Sequence, residues 1–366
     1  MSKVKGLRAG LMASILAGAA LTAGVAQAQG VSTERPGSIL IFPKVVNDDA
    51  DTIIQITNTS NSLTYAHCFY VNGDVVNGQP LWQVTDFGLV LTRQQPTHWA
   101  ASQGRAVNPL DSVGGLDPGL VPPVVPGFTG FLTCVETTAD GTPVSANSLI
   151  GVATVGGIAG PTPSATNNIS KYNAVAIPGC LDDNGPCGSG GEPNSGDNVL
   201  ELNNVEYAAC PGGLYLNFQR EGSGDPILDG SDNGPSTVST NLSLVPCGID
   251  FNNLVPTTTT LSSQLRDEFE TVSSAFPINV DCYFEAPLGD ISAAFSGIQT
   301  DFGTAILRPV VGSGLPPVLG VANVLRTAGD GTSDTAATNL HFCTDADAPA
   351  ECETVDAEIR LPDFGN

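Results

Sequence analysis

Nine cysteines, three histidines and several aspartate-rich turns are the residues in this 366-residue chain whose types could do chemistry. Cysteine comes first. Thiols bind zinc or run redox exchange when they stand at close spacings such as Cys-x-x-Cys, and no such pair occurs here. Structural disulfides are the expected use. Cys68 and Cys134 fall on predicted strands of the first half and are paired on that ground, as are Cys247 and Cys282 in the second. Cys343 and Cys352 bracket an acidic loop and could close it. Cys180, Cys187 and Cys210 compete for one further bridge, which leaves one of them as the odd thiol. Spacing alone does not fix connectivity.

The histidines are His67, His98 and His341. His67 and His341 lie within predicted strands and read as packing or hydrogen-bonding residues. His98 stands beside Trp99 in a loop. Neither a Gly-x-Ser-x-Gly elbow nor a His-Glu-x-x-His zinc motif is present. No catalytic residue is assigned. The acidic turns cluster oxygen donors at Asp48, Asp49 and Asp51 and again at Asp229 and Asp232. Calcium takes six to eight such oxygens, so a weak calcium site at these positions is the one cofactor the sequence suggests. Turn chemistry places Asp, Asn and Gly together for backbone reasons alone. Trp82, Trp99 and the tyrosines are candidates for a sugar-stacking platform; core anchoring is the plainer use of two tryptophans.

These residues sit in a chain built from short apolar runs. Ser38–Phe42 closes at Pro43. Thr52–Thr57 and Leu63–Val71 follow across polar turns, and similar runs continue to Asn339–Phe342. The chain holds 42 Gly and 27 Pro, and its runs of Val and Thr show no helical period. That pattern predicts an all-β protein of β-sandwich type. The loops 100–126 and 179–197 are long and polar or Pro-rich.

Before the strands comes a leader. Lys3, Lys5 and Arg8 precede an apolar segment from Ala9 to Val25, then Ala26-Gln-Ala28. This reads as a cleaved secretory signal peptide over 1–28. The mature remainder carries ten Lys+Arg against 37 Asp+Glu, a formal charge of −27. Such a surface repels nucleic acid and anionic lipid. No later stretch has the length of a membrane span. The expected location is the periplasm, the cell surface or the medium.

Four short matches suggest an internal repeat. Leu40–Pro43 pairs with Leu244–Pro246, and Cys68–Tyr70 with Cys282–Phe284. Thr85–Gly88 pairs with Thr300–Gly303, and Leu149–Val155 with Val318–Val324. The Asp-rich loop 221–236 then marks the boundary. The expected domains are a first β-sandwich over 29–236 with loop insertions and a second over 237–366. The strand ending at Pro43, followed by TIIQITNTSNSLTYAHCFYVNG, resembles the opening strands of immunoglobulin-like modules in exported bacterial surface proteins. The resemblance implies two tandem immunoglobulin-like sandwiches and a surface location, and no reaction. The expected function is therefore that of an exported, non-enzymatic surface, structural or adhesion protein, with other surface proteins or glycans as partners. A secreted ligand- or carbohydrate-binding protein is the alternative, and an exported hydrolase comes third.

Overall fold

The computed structural model describes residues 30–107, 116–157, 168–180, 192, 194–224, 235–310, 316–343 and 353–363. The leader over 1–28 lies outside them. The first half contributes β1 (Ile39–Asn47), β2 (Ala50–Asn58), β3 (Thr64–Asn72), a small hairpin of β4 (Val75–Val76) and β5 (Gln79–Pro80), β6 (Gln83–Leu91), β7 (Pro96–Ala100), β8 (Phe128–Thr137), β9 (Leu149–Gly157), β10 (Ile169–Asn173) and β11 (Val175–Ile177). After them come β12 (Val199–Leu202), β13 (Leu214–Gln219), β14 (Thr237–Pro246), β15 (Ile249–Asp250), β16 (Thr258–Asp267), β17 (Val272–Asp281) and β18 (Phe284–Pro287). Two helical turns, α1 (Leu288–Ile291) and α2 (Ala294–Gly297), precede β19 (Phe302–Pro309), β20 (Val318–Thr327), β21 (Ser333–Asn339), β22 (His341–Phe342) and β23 (Ala357–Arg360). The chain is all-β and sandwich-like.

In the first half the strands form two antiparallel ladders, β6-β3-β8-β1-β11 and β7-β2-β9-β10. They are continuous only through Asn47↔Asp51 at the β1–β2 turn. Period-two alternation sends Leu40, Phe42, Tyr70 and Leu132 from one ladder against Ile54, Ile56, Trp99 and Ala153 from the other. In the second half the ladders are β17-β16-β19-β13-β22 and β18-β14-β20-β21. Leu216, Phe218, Leu261 and Leu307 meet Leu242, Leu244 and Ala322 between them, with Leu288 and Phe295 closing the end.

The two halves share one plan, strand for strand. Numbered within each half, with the β4–β5 hairpin and the strands β12, β15 and β23 of the small separate sheet left out, both have the orders 4-3-6-1-9 and 5-2-7-8. β13 therefore corresponds to β1, β14 to β2, β16 to β3, β17 to β6, β18 to β7, β19 to β8, β20 to β9, β21 to β10 and β22 to β11. This plan shifts the repeat read from the sequence. Only Leu149–Val155 and Val318–Val324 stand in register, on β9 and β20. The other three matches join non-equivalent strands: Leu40–Pro43 is on β1, whereas Leu244 is on the counterpart of β2. Hydrogen-bonded neighbours define equivalence, and Val/Thr-rich strands carry little identity in their letters. β13 also precedes the expected boundary at 236 yet is hydrogen-bonded into the second half through β19.

The antibody constant order is 1-2-5-4 and 3-6-7 in the same positional numbering. Both halves keep its 2–5 and 3–6 neighbours but place the seventh strand beside the second.

The motif in register has a packing reason. Ala174 N–H donates to Gly151 O at 2.9 Å, and its counterpart Leu340 N–H donates to Gly320 O at 3.1 Å. A Cβ at Gly151 would stand 2.5 Å from Phe42 Cζ, and one at Gly320 would stand 2.4 Å from Leu340 Cδ1. Gly151→Ala and Gly320→Ala are each expected to cost about 1–2 kcal/mol by overpacking. Denaturant unfolding checks this, and an unchanged midpoint for both would remove the packing explanation.

The halves are fused. The outer face of the β1-β8-β3 ladder, with Ile39, Ile41, Phe69 and Phe131, packs on Val245, Phe251, Leu319 and the small sheet β12-β23-β15. Phe69 and Phe251 stack with centroids 4.3 Å apart. The equivalent edge strands β10 and β21 also meet. Their last residues are counterparts: Asn339 Nδ2 donates to Asn173 O at 2.8 Å, and Asn173 N donates to Asn339 Oδ1 at 3.1 Å. Like strands meeting like is the pattern of an isologous contact.

Candidate functional site

The residues singled out by sequence do not converge. Asp48 and Asp49 are exposed on the β1–β2 turn. Asp51 is engaged by its neighbours: Ser102 donates to it through Oγ at 2.6 Å and through its backbone N–H at 3.1 Å, and Thr52 N–H at 2.8 Å. Those bonds hold the loop after β7. Asp229 and Asp232 lie outside the described residues. Among the described residues no group of three or more His, Cys, Asp or Glu is placed to hold a metal ion.

His67 Nε2 is 2.9 Å from Asp86 Oδ2 across the β3–β6 ladder. His98 and Trp99 are consecutive on β7, so they point to opposite faces. His98 is exposed, whereas Trp99 is buried and donates through Nε1 to the Tyr70 hydroxyl. Burial pushes the Tyr70 hydroxyl far up. Trp82 sits in the other core, against Phe131. The two tryptophans thus anchor separate cores, and neither faces solvent as a stacking platform.

Among the cysteines, Cys68 and Cys134 are bonded directly opposite each other on β3 and β8. This bond joins neighbours in one sheet, unlike the bridge between sheets of antibody domains. The second pairing differs from expectation. Cys247 is bonded to Cys210, and among the described residues Cys282 is the free thiol, buried. The expected Cys247–Cys282 pair placed Cys282 as the counterpart of Cys68, but it follows β17, the counterpart of β6. Cys180 and Cys343 are disulfide-bonded; Cys187 and Cys352 lie outside the described residues. Burial, and then the charge of Asp281, push the Cys282 thiol up. Cys282 is expected to resist alkylation in the native protein and to label on unfolding without reductant. Peptide mapping checks this, and native labelling would show that the site opens.

The polar residues that do converge lie at the junction of the halves. β1 carries a register shift between Phe42 and Val45 against β8. A bulge at Pro43–Lys44 re-aims the side chain it carries. Lys44 is 6% exposed, on a strand otherwise buried along its length. Its Nζ donates to Glu285 Oε1 on β18. Asn241 Nδ2 on β14 donates to the same oxygen at 2.8 Å. The Tyr283 hydroxyl donates to Glu285 Oε2. The Tyr172 hydroxyl accepts from Lys44 N–H at 3.2 Å and donates to Lys44 O. Burial and the Glu285 charge push both tyrosine hydroxyls far above their usual range. An amine, a carboxylate, a carboxamide and two neutral phenols are thus packed together where water is scarce.

In the sequence this cluster is nearly silent. Its one signal was Lys44 itself, a lysine inside the apolar run ILIFPKVV in a chain with only Lys3, Lys5, Lys44 and Lys171. A charge there needs a partner. The partner lies 241 residues away, and nothing in the sequence names it.

A second buried carboxyl, Glu136, accepts from the Ser148 hydroxyl, which also contacts Thr64 Oγ1 at 3.0 Å. Glu136 is 2% exposed, so this hydroxyl–carboxyl pair ties β8 to the segment that leads into β9 from inside the protein. A cleft of about 500 Å³ opens on the bridging sheet, lined by Glu201, Asp250, Asp356, Glu358 and Arg360 among others.

No family model matches the chain, and no curated protein matches it. Among solved structures, the one described as "Crystal Structure of Thermotoga maritima 1070" aligns at 7% identity, over 38% of this chain and 92% of that one, with a TM-score of 0.23. At that overlap the likeness bears on neither fold nor function.

Proposed function

We propose that the chain is an exported, non-catalytic protein that serves as a surface, structural or adhesive component. What supports this reading is the use made of its reactive groups. Lys44, Glu136, Asp51 and Trp99 are engaged in bonds that hold the strands and the two halves together. Two disulfides reinforce the same body, as suits an oxidising compartment. Export follows from the leader read over 1–28. The link to immunoglobulin-like surface modules rests on the shared 2–5 and 3–6 strand neighbours.

Fractionation of producing cells, with protease treatment of intact cells, tests the location. Recovery of the full-length chain in the cytoplasm would sink the reading. A panel of ester, glycoside and peptide substrates tests the absence of catalysis. Turnover that disappears in His67→Ala would replace the reading with a hydrolase. A ligand-binding role is the second reading, and the acidic cleft on the bridging sheet favours it. Its ligand would be small and cationic rather than a sugar stacked on tryptophan. Saturable binding lost in Asp250→Asn with Glu358→Gln would establish it.

A further inference from the structure

Lys44 Nζ and Asn241 Nδ2 donate to one and the same oxygen, Glu285 Oε1. The amine of one half is therefore held beside the carboxamide of the other. Asn241 Oδ1 is shielded from water and makes no hydrogen bond among the described residues. Buried polar atoms are nearly always paired, so this unpaired oxygen leaves the carboxamide held only through its Nδ2. Buried amines are nucleophiles once neutral, and holding reactants in contact replaces a bimolecular encounter.

We propose that Lys44 and Asn241 condense into an isopeptide bond that ties β1 to β14, with Glu285 carrying the protons. Glu285 first takes a proton from the Lys44 ammonium. The Nζ lone pair attacks Asn241 Cγ, and the carbonyl electron pair moves to Oδ1. Glu285 gives its proton to Nδ2 and takes one from the new C–N nitrogen. The carbonyl re-forms, the Cγ–Nδ2 bond breaks and ammonia leaves. Glu285 ends protonated. No oxidant or cofactor takes part. Tyr283, donating to Glu285 Oε2, is a positioning residue that holds the carboxyl toward both nitrogens.

The bond would close a covalent link between the halves that the disulfides do not provide at this point. The inference stands on the cluster and not on the surface reading, so either can fail alone.

Intact mass of the full mature chain decides it. The expected mass is lower by one ammonia than that of the disulfide-bonded chain. Digestion should release one branched peptide that joins the segments holding Lys44 and Asn241. Glu285→Ala and Asn241→Ala should each restore the unbranched mass. If either variant fails to fold, the mass of the natural chain still decides. A full mass, with Lys44 open to amine reagents after unfolding, overturns the proposal. Loss of water instead of ammonia overturns the assignment to Asn241. A branched peptide that persists in folded Glu285→Ala overturns the role of Glu285.

Discussion

Replacing Cys68 and Cys134 together by alanine is expected to lower stability by about 4 kcal/mol. The two residues are 66 apart in sequence and directly opposite each other on β3 and β8. Cross-linking them removes the entropy of closing that loop from the unfolded chain. The loop spans β6, β7 and the long excursion before β8, so its reduced form has much freedom to regain. The fall in thermal midpoint should be roughly 10 °C. Adding reductant to the native protein should not reproduce it at once, because both sulfurs belong to residues with 0% exposure. The loss should appear only as molecules open. Calorimetry of the double variant, against the natural chain with and without reductant, checks both parts. A loss under about 1 kcal/mol would mean that the reduced chain stays compact, which the loop-entropy account does not allow.

That bridge was legible in the sequence because both cysteines lie in apolar runs that read as strands, although neither run shows which face meets the core. The Cys210–Cys247 bond was not. Cys210 lies in an irregular segment before β13, and Cys247 lies just after β14. Only the packing of the bridging sheet brings them together, and no local pattern encodes it. The all-β class followed from turn residues and β-branched runs, which act through local backbone preferences. The duplication was half legible. LIGVATV and VLGVANV survive in register because Gly151 and Gly320 must admit the residue that leads into the next strand. Elsewhere the equivalent strands are held by ladder position, which tolerates any apolar alternation. Cys68 on β3 faces its partner, whereas the counterpart ladder β16–β19 packs Leu261, Leu265 and Leu307 without a disulfide. The junction was least legible. Lys44, Asn241 and Glu285 come from β1, β14 and β18, and the sequence shows only a lysine where none should be.

Lowering the pH from about 8 to about 5 is expected to stabilise the protein. Burial raises the carboxyl of Glu206 to about 7, with the charges of Glu201 and Asp197 adding to it. Burial also raises Glu136. Glu221 rises by burial and the charge of Asp290, and Asp74 by burial and the charge of Asp48. In each case the folded state holds a proton that the unfolded state releases at lower pH. The stabilising contribution is fully present below the unfolded value, 4.5 for Glu206, and is lost as the pH rises through about 7. For Glu206 alone this is about 2 kcal/mol once solvent screening is allowed for. The chain's formal charge of −24 acts in the same direction, since protonation relieves repulsion across the compact state. Asp140 and Asp330 work the other way at lower pH. Thr138 and Thr142 hold the first carboxyl down, and Thr332 the second, so stability should turn over below the ordinary carboxylate range. Urea midpoints across this range give the slope. Glu206→Gln, which keeps an acceptor for Asn194 Nδ2, should flatten it between pH 5 and 7. A midpoint that is flat or rises with pH in the natural chain would show that the unfolded state shares these shifts. An unchanged slope in Glu206→Gln would move the dominant contribution to Glu136, where the carboxyl is sealed beneath Ser148 and answers only when the strands part.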